Sequence, residues 1–344
     1  MAETRRVETK ISFNGKNVDG ILTPYLESIS YTDVAKDSSD TLDINLQNIN
    51  MKWLNEWYPS KGDRIIGKII FKSWNAPGED FTLSCGTFIL DDISFSGNPK
   101  AAKFASLALP ANASFTCLER TKTWKKVTVK KVATEISRRY RMGLSYEAPT
   151  INISKLEQSV ESDSAFMYKM CQEYNLGMKV YNNKLVIYDP GKMELKPSVV
   201  TLTPQSFIDG DWTFNDSLNG TYNGARISYR QGDNSTKTSS IYVGSVKESS
   251  EKARTLRISE VANSKADAKY KAIAQINKSN EEATMLSGTV WPDPRLVAGA
   301  CVTVTGFGVP NGKYFLEKVT TEITDSGTSQ RVEMHKVVPR IRRT

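Results

Sequence analysis

The residues that could carry out chemistry in this sequence are few and scattered. His335 is the one histidine among 344 residues, and it stands between Met334 and Lys336 in a predicted C-terminal strand. A triad hydrolase needs a nucleophile, a general base and an acid that orients the base, and nothing around His335 suggests such partners. We therefore predict that this histidine is structural or lies on the surface.

The thiols and carboxylates give no stronger signal. The four cysteines are Cys85, Cys117, Cys171 and Cys301. They form no CxxC pair, which argues against a zinc site or a redox motif and favours buried free thiols. A peptidoglycan hydrolase would use two carboxyl groups, and the local acidic pairs are Glu161 with Asp163, Asp91 with Asp92, and Glu281 with Glu282. Each pair lies on a predicted strand or helix end, where solvated charge is the ordinary explanation.

Sequence motifs of the common enzyme classes are missing. There is no GxxxxGK[ST] phosphate loop, no GxGxxG, no HExxH and no GxSxG. We therefore expect a protein that is not an enzyme, with no cofactor and no metal.

Positive charge is concentrated in one stretch. Between Glu119 and Arg141 nine basic residues stand against two acidic ones, in a chain whose net charge is +8. The candidate partner-contact residues here, which we call the basic cluster, are Lys125, Lys126, Lys130, Lys131, Arg138, Arg139 and Arg141. Two interpretations stay open: a solvated outer face, or a contact for an acidic partner subunit or a polyanion such as nucleic acid. Only Trp124 and Tyr140 add the aromatic rings that nucleic-acid readers usually interleave with charge.

The composition is that of a folded globular protein. Hydrophobic residues make up 39% of the chain and charged residues 24%, and the length predicts two or three domains. The N-terminal residues lack the apolar segment of a secretory signal, and no apolar run approaches the roughly 20 residues that span a bilayer. We expect a soluble product made in the cytoplasm, without membrane insertion.

Two strand-rich stretches flank a helical middle. Residues 9–109 are mostly strand, because apolar residues alternate with polar ones. The middle predicts a helix over residues 129–140, a polar connection over 149–164, and a second helix that runs into a hairpin ending at Asp189. Asn182 and Asn183 occupy the expected hairpin turn.

Helix ends and later elements follow from local residues. Thr128 is expected to cap the first helix and Gly143 to stop it, while Asn175 or Gly177 stops the second. After residue 201 strands return around a third helix at about residues 264–279. The polar stretch 231–240 predicts a mobile loop, and the basic tail from Arg340 to Arg343 predicts a frayed end.

The two strand-rich stretches resemble each other. Residues 86–93 align without gaps with residues 312–319, and a strand headed by glycine precedes each segment. Either the chain contains two related barrels, or the match reflects residue patterns that are common in β proteins in general.

Several of these segments together resemble the phage late control protein D family, the baseplate central hub proteins of contractile tails. The resemblance rests on residues 85–93 with 96–99, on Trp124 with the helix after it, on residues 164–188, and on residues 312–314. It covers nearly the whole chain, and the order and spacing of the motifs make it specific. The sequence looks most like versions from contractile phages and phage-tail-like bacteriocins of Gram-positive bacteria, and is similar to the hub part of type VI secretion spikes.

The resemblance implies an α+β, mainly β fold with two related tail-tube-like β-barrel domains and an intervening small α+β domain. It implies a homotrimer whose barrels form a pseudo-sixfold ring joining the hexameric tail tube to the trimeric spike. The implied partners are the spike protein, the tail tube or tube initiator, the tape measure protein and the baseplate wedge proteins, in a virion or tail-like particle. Nucleic acid would enter at most as a transiting genome, and wall digestion would belong to separate subunits.

We predict three domains on this basis. Residues 1–118 form the first tube-like barrel, residues 119–198 the α+β domain with two helices and a hairpin, and residues 199–344 the second barrel with one inserted helix. Two other functions stay open: a tail-associated peptidoglycan hydrolase, and a basic nucleic-acid-binding protein.

Overall fold

A computed structural model describes residues 4–110, 114–231 and 236–341, and the chain is α+β and mainly β, as predicted. The first part contains β1 (Arg6–Phe13), β2 (Lys16–Asn17), α1 (Asp19–Leu22), β3 (Leu26–Val34), β4 (Thr41–Gln47), β5 (Arg64–Lys72), β6 (Phe81–Gly97) and β7 (Lys100–Leu107). The middle contains α2 (Ser114–Cys117), β8 (Glu119–Thr128), α3 (Val129–Arg139), β9 (Gly143–Glu147), β10 (Asn152–Ser162), α4 (Asp163–Glu173), β11 (Gly177–Tyr181), β12 (Lys184–Tyr188) and α5 (Pro190–Met193). The last part contains β13 (Ser198–Leu202), β14 (Phe207–Asp216), β15 (Gly224–Arg230), β16 (Thr238–Gly244), β17 (Thr255–Ala262), α6 (Lys265–Glu281), β18 (Thr284–Val290), β19 (Cys301–Val304), β20 (Gly312–Thr324) and β21 (Gly327–Lys336).

Strands from the first and last parts form one 13-stranded sheet. Its path runs β14-β18-β21-β20-β3-β4-β7-β6-β5-β1-β2, and β19 and β13 branch from β20. The two parts meet where β20 pairs with β3 in antiparallel register, with Thr320 opposite Thr32. The division of the chain at residues 118 and 198 stays a prediction, and the sheet continues from the first part into the last.

The first and last parts repeat one strand order. The order β1-β5-β6-β7-β4-β3 matches β13-β19-β20-β21-β18-β14, strand for strand. Equivalent neighbours are antiparallel in both parts, except that β13 and β19 run parallel where β1 and β5 run antiparallel. A β-bulge interrupts both long strands at aligned positions, at Asp91 in β6 and at Glu317 in β20. Strand order and bulge position therefore favour a duplication over a chance match of residues 86–93 with 312–319.

The core of the first part follows from the alternation in its strands. Ile29 and Tyr31 on β3 face inward, as do Leu42 and Ile44 on β4, and each is nearly inaccessible to solvent. Successive side chains on a strand point to opposite faces, so one face supplies the core. Burying an aliphatic side chain of this size contributes about 1.5–3 kcal/mol.

Helix capping in the middle part largely matches the sequence. The Thr128 hydroxyl accepts a hydrogen bond from the Lys131 backbone nitrogen at the start of α3. Asn175, with φ of 45°, takes the left-handed position after α4. The predicted stop at Gly143 is wrong: Arg141 takes the left-handed position, with φ of 54°, and Gly143 opens β9.

The middle part contains more strands than predicted. Asn182 and Asn183 both have positive φ and turn the β11–β12 hairpin, as expected. Parallel pairing of β9 with β12 adds a third strand to it. The predicted polar connection over residues 149–164 is wrong for most of its length, because residues 152–162 form β10 and pair with β8. Its polar side chains fit a two-stranded ribbon with one solvated face.

The last part carries an insertion between β14 and β18. Strands β15, β16 and β17 form a separate sheet, and α6 packs Ala268, Ala272 and Ile276 against it. The predicted mobile loop at residues 231–240 is wrong at its end, because Thr238 begins β16; residues 232–235 lie outside the described residues.

Candidate functional site

The basic cluster lies along β8 and α3. Lys125 and Lys126 are on β8, Lys130, Lys131, Arg138 and Arg139 are on α3, and Arg141 follows α3. All of these side chains except Arg139 are exposed. Lys130, Lys131 and Arg138 fall within about 100° of one another around the helix axis. The opposite side of α3 is apolar, since Val132 and Ile136 are fully buried.

Arg139 has internal partners instead. Its guanidinium donates to Asp163, whose side chain is fully buried, and to Glu135 at 3.0 Å. Burial alone would raise the pKa of Asp163, but hydrogen bonds from Tyr140, Gln158 and Arg139 lower it. Arg139 therefore joins α3 to the start of α4. The expectation of a solvated charge at Asp163 is wrong, because this carboxylate is part of the packing between two helices.

The other six members of the basic cluster form no ion pair within the described residues. Lys130 has one weak partner, the Tyr146 ring, whose centroid lies 5.8 Å from Nζ. These side chains can present positive charge to an anionic surface, and their geometry offers no acid–base or nucleophilic chemistry.

A second set of charged residues, buried or half-buried, lies where the three parts of the chain meet. We call it the ionic junction, and its members are Lys36, Glu194, Glu281, Glu317, His335 and Arg340. His335 lies between two carboxylates, with Nδ1 2.7 Å from Glu317 Oε1 and Nε2 2.8 Å from Glu194 Oε1. Ionised carboxylates only accept hydrogen bonds, so both ring nitrogens donate and the ring is an imidazolium. Burial alone would lower the pKa of His335, but these hydrogen bonds raise it to about 9.

The rest of the ionic junction brings distant segments together. Arg340 Nε donates to Glu194 Oε2 at 2.6 Å, and its Nη2 lies 2.6 Å from Glu281 Oε1. Glu281 also pairs with Lys36. Burial alone would raise the pKa of Glu281, but Lys36 and Arg340 lower it to about 2.

Two expectations fail at this junction. Glu281 is buried and paired, where solvated charge was expected. Arg340 is half-buried and paired with Glu194 and Glu281, where a frayed end was expected. Arg342 and Arg343 lie outside the described residues.

A third contact joins the middle part to the first. Lys179 on β11 donates to Asp33 Oδ1 at 2.7 Å and to Asp40 Oδ1 at 3.0 Å. Asp33 Oδ2 also accepts from the Ala298 backbone nitrogen at 2.9 Å. Burial raises the pKa of Asp40 to about 6 despite the attraction of Lys179. Lys179 therefore holds the β11–β12 hairpin against the first part, and Asp33 also joins the first part to the last.

Among the described residues, the possible metal ligands and the cysteine thiols do not come together in a site. No three His, Cys, Asp or Glu side chains of the described residues are placed to hold a metal ion. All four cysteines are free; Cys85, Cys171 and Cys301 are buried as predicted, and Cys117 is exposed. Burial raises the pKa of the Cys85 and Cys171 thiols. Within the same residues, no helix combines the length and apolar character needed to cross a membrane.

Solved structures share this architecture. The 43 kDa tail protein of prophage MuSo2 from Shewanella oneidensis is 13% identical, with a TM-score of 0.67, over 96% of this chain and 98% of that one. A tail protein from Neisseria meningitidis MC58 is 13% identical, with a TM-score of 0.68, over 96% of each chain. The chain has the phage tail-protein fold. No protein-family model and no curated protein matches the sequence.

A type VI secretion component has a similar fold. The E. coli c3393 protein, a type VI secretion component with structural similarity to the phage T4 tail proteins gp27 and gp5, has a TM-score of 0.54. It is 11% identical over 97% of this chain and 79% of its own length.

The ionic junction was not predicted from the sequence. Lys36 and Glu281 are 245 positions apart, and Glu194 and Arg340 are 146 apart, so no local pattern connects them. One weak indication of a partly buried charge was present in the sequence. Lys179 lies between the apolar residues Met178 and Val180 on β11, which are buried, and its side chain is on the other face of the strand.

Proposed function

We propose that this chain is a structural baseplate hub of a contractile tail or a related injection machine. Three copies form a ring that joins a sixfold tail tube to a threefold spike. The observation that supports this most directly is the strand order that occurs twice within one chain of the tail-protein fold. Each copy brings two related β units, so a trimer offers six units to the tube and keeps threefold symmetry for the spike.

The proposed partners follow from the same likeness. The fold is shared with tail proteins and with a type VI secretion component. We propose as neighbours the spike protein, the tail tube or tube initiator, the tape measure protein and the wedge proteins, in the baseplate of a phage or tail-like particle. In this proposal residues 1–118 and 199–344 build the ring, residues 119–198 lie between them, and the chain has no catalytic role.

The exposed part of the basic cluster is proposed to bind an acidic partner subunit. Its six side chains are exposed and without an ion pair in the described chain, so binding carboxylates breaks no internal ion pair. Charges of opposite sign across an interface raise association rates and exclude wrong partners. Three of them lie on the outer side of one rigid helix, α3, which fixes their spacing.

Co-purification tests this function. The full chain, co-expressed with the spike protein and tube initiator of its own tail, is expected to retain both. Charge reversal of Lys130, Lys131 and Arg138 to Glu should remove one neighbour, whereas reversal of the exposed Lys16, Lys61 and Lys252 to Glu serves as the matched control. Retention of neither neighbour by the unaltered chain would contradict the hub proposal. Salt-dependent binding to duplex DNA that the first variant loses would favour the nucleic-acid alternative instead.

A further inference from the structure

The contact between the two β units of one chain is an antiparallel strand junction. Residues 318–324 of β20 pair with residues 28–34 of β3. Thr320 faces Thr32, and their Oγ1 atoms are 3.1 Å apart. Tyr31 and Thr321, which also face each other, are 3% and 1% exposed. The junction is therefore a well-packed continuation of one sheet across two units.

Each strand of this junction has an equivalent in the other unit. The aligned bulges make residues 318–324 of β20 equivalent to residues 92–98, in and just after β6. Following the paired Cα positions through β4 and β7, and through β18 and β21, makes Tyr31 on β3 equivalent to Phe214 on β14. The segments ISYTD at 29–33 and WTFND at 212–216 share their pattern of apolar and polar residues.

The two equivalent edges are unpaired. In the part of the chain that the structure describes, residues 92–97 of β6 pair only with β7, and β14 pairs only with β18. Ser94, Ser96, Thr213 and Asn215 are exposed, whereas their equivalents at the intrachain junction are half-buried or, for Glu322, exposed at its end. Trp212 is 41% exposed where its equivalent Ile29 is 1% exposed. Open edges of this length are templates for further strand pairing.

We propose that β6 of one copy pairs with β14 of the next copy and so repeats the intrachain junction between copies. The register carried over places Ser94 opposite Asn215, Phe95 opposite Phe214, and Ser96 opposite Thr213. This inference rests on the proposed ring of copies and names the surface that closes it. The two edges differ, so the contact is heterologous and generates a ring when its rotation closes.

The side chains fit this pairing. Phe95 and Phe214 form a cross-strand aromatic pair, a favourable type of neighbour in antiparallel sheets. Asp92 falls opposite Ser217 and Ile93 opposite Asp216, so no two like charges face each other directly. The exposed Trp212 gains cover from Gly97 and its neighbours, as Ile29 is covered by Ile323 at the intrachain junction.

Engineered disulfides test the register. In a Cys117→Ser background, which removes the exposed native thiol, Ser94→Cys with Asn215→Cys is expected to give covalently linked oligomers on mild oxidation. Directly opposite residues bring their Cβ atoms within disulfide range. Thr32→Cys with Thr320→Cys is the positive control, expected to link within one chain. Ser94→Cys with Thr213→Cys, shifted by two residues, should link poorly.

The outcomes separate this junction from the ring itself. Linked oligomers that stop at three copies support both the strand junction and the trimer. A ring seen by electron microscopy without links in the Ser94–Asn215 pair, while the Thr32–Thr320 pair links, overturns the strand junction and leaves the hub function standing. Efficient links in the shifted pair overturn the register. Links without binding of the spike or tube overturn the hub function alone.

Discussion

His335 carries a positive charge inside the protein because both of its ring nitrogens face carboxylates. The same junction holds Arg340, so the end of the described chain is tied to α5 and α6. Lys179 ties the β11–β12 hairpin to the first part in the same way, through its ion pair with Asp33. At the residue scale these buried and half-buried pairs fix the relative placement of the parts, and removing one partner of a fully buried pair costs about 3–5 kcal/mol.

The protonation of His335 should make the free energy of unfolding depend on pH. Its pKa is about 9 in the folded chain and about 6.5 when unfolded, so the folded state binds more protons between these values. The stabilisation is complete below pH 6.5 and is lost as pH rises through 9, by about 3 kcal/mol. Urea unfolding at pH 6 and pH 9.5 measures it.

The control for this prediction is His335→Gln. The variant keeps a hydrogen-bond donor without the titration, so its stability should be lower at pH 6 and should change little up to pH 9.5. An equal fall in both proteins would assign the pH dependence to other groups.

At the element scale, α3 divides its basic residues into two roles. Arg138 is exposed, whereas Arg139 holds the buried Asp163. Arg139→Ala should lower the free energy of unfolding by about 2–3 kcal/mol, because Tyr140 and Gln158 still bond the carboxylate. Arg138→Ala should change it by less than about 0.5 kcal/mol. Urea unfolding of the two variants makes the comparison, and equal losses would contradict the division.

Local patterns predicted the elements better than their assembly. The cap at Thr128, the stop at Asn175 and the turn at Asn182 follow from short-range geometry, and each is present. The pairing of β9 with β12 and of β20 with β3 depends on contacts between distant residues, which no local pattern contains. The bulge at Glu317 lay within the aligned segments, but only the pairing reveals it.

The candidate site was predicted in part. The count of basic residues alone identified the basic cluster, and six of its members are exposed. Charge counting cannot identify Arg139 as an internal partner, because Asp163 lies 24 positions away on another helix.

At the scale of the whole molecule, the repeated strand order is the feature that an assembly can use. The intrachain junction between β20 and β3 shows how two units of this kind meet, and within the described residues the matching edges of β6 and β14 have no strand partner. A protein built this way needs no reactive group, because its proposed role depends on shape, symmetry and the strength of a strand junction.

Electron microscopy of the chain co-purified with the spike protein and tube initiator proposed as its neighbours tests the central claim most directly. The account predicts a threefold ring with a central channel and six similar β units around it. Compact monomers, or a ring whose symmetry is not threefold, would contradict it.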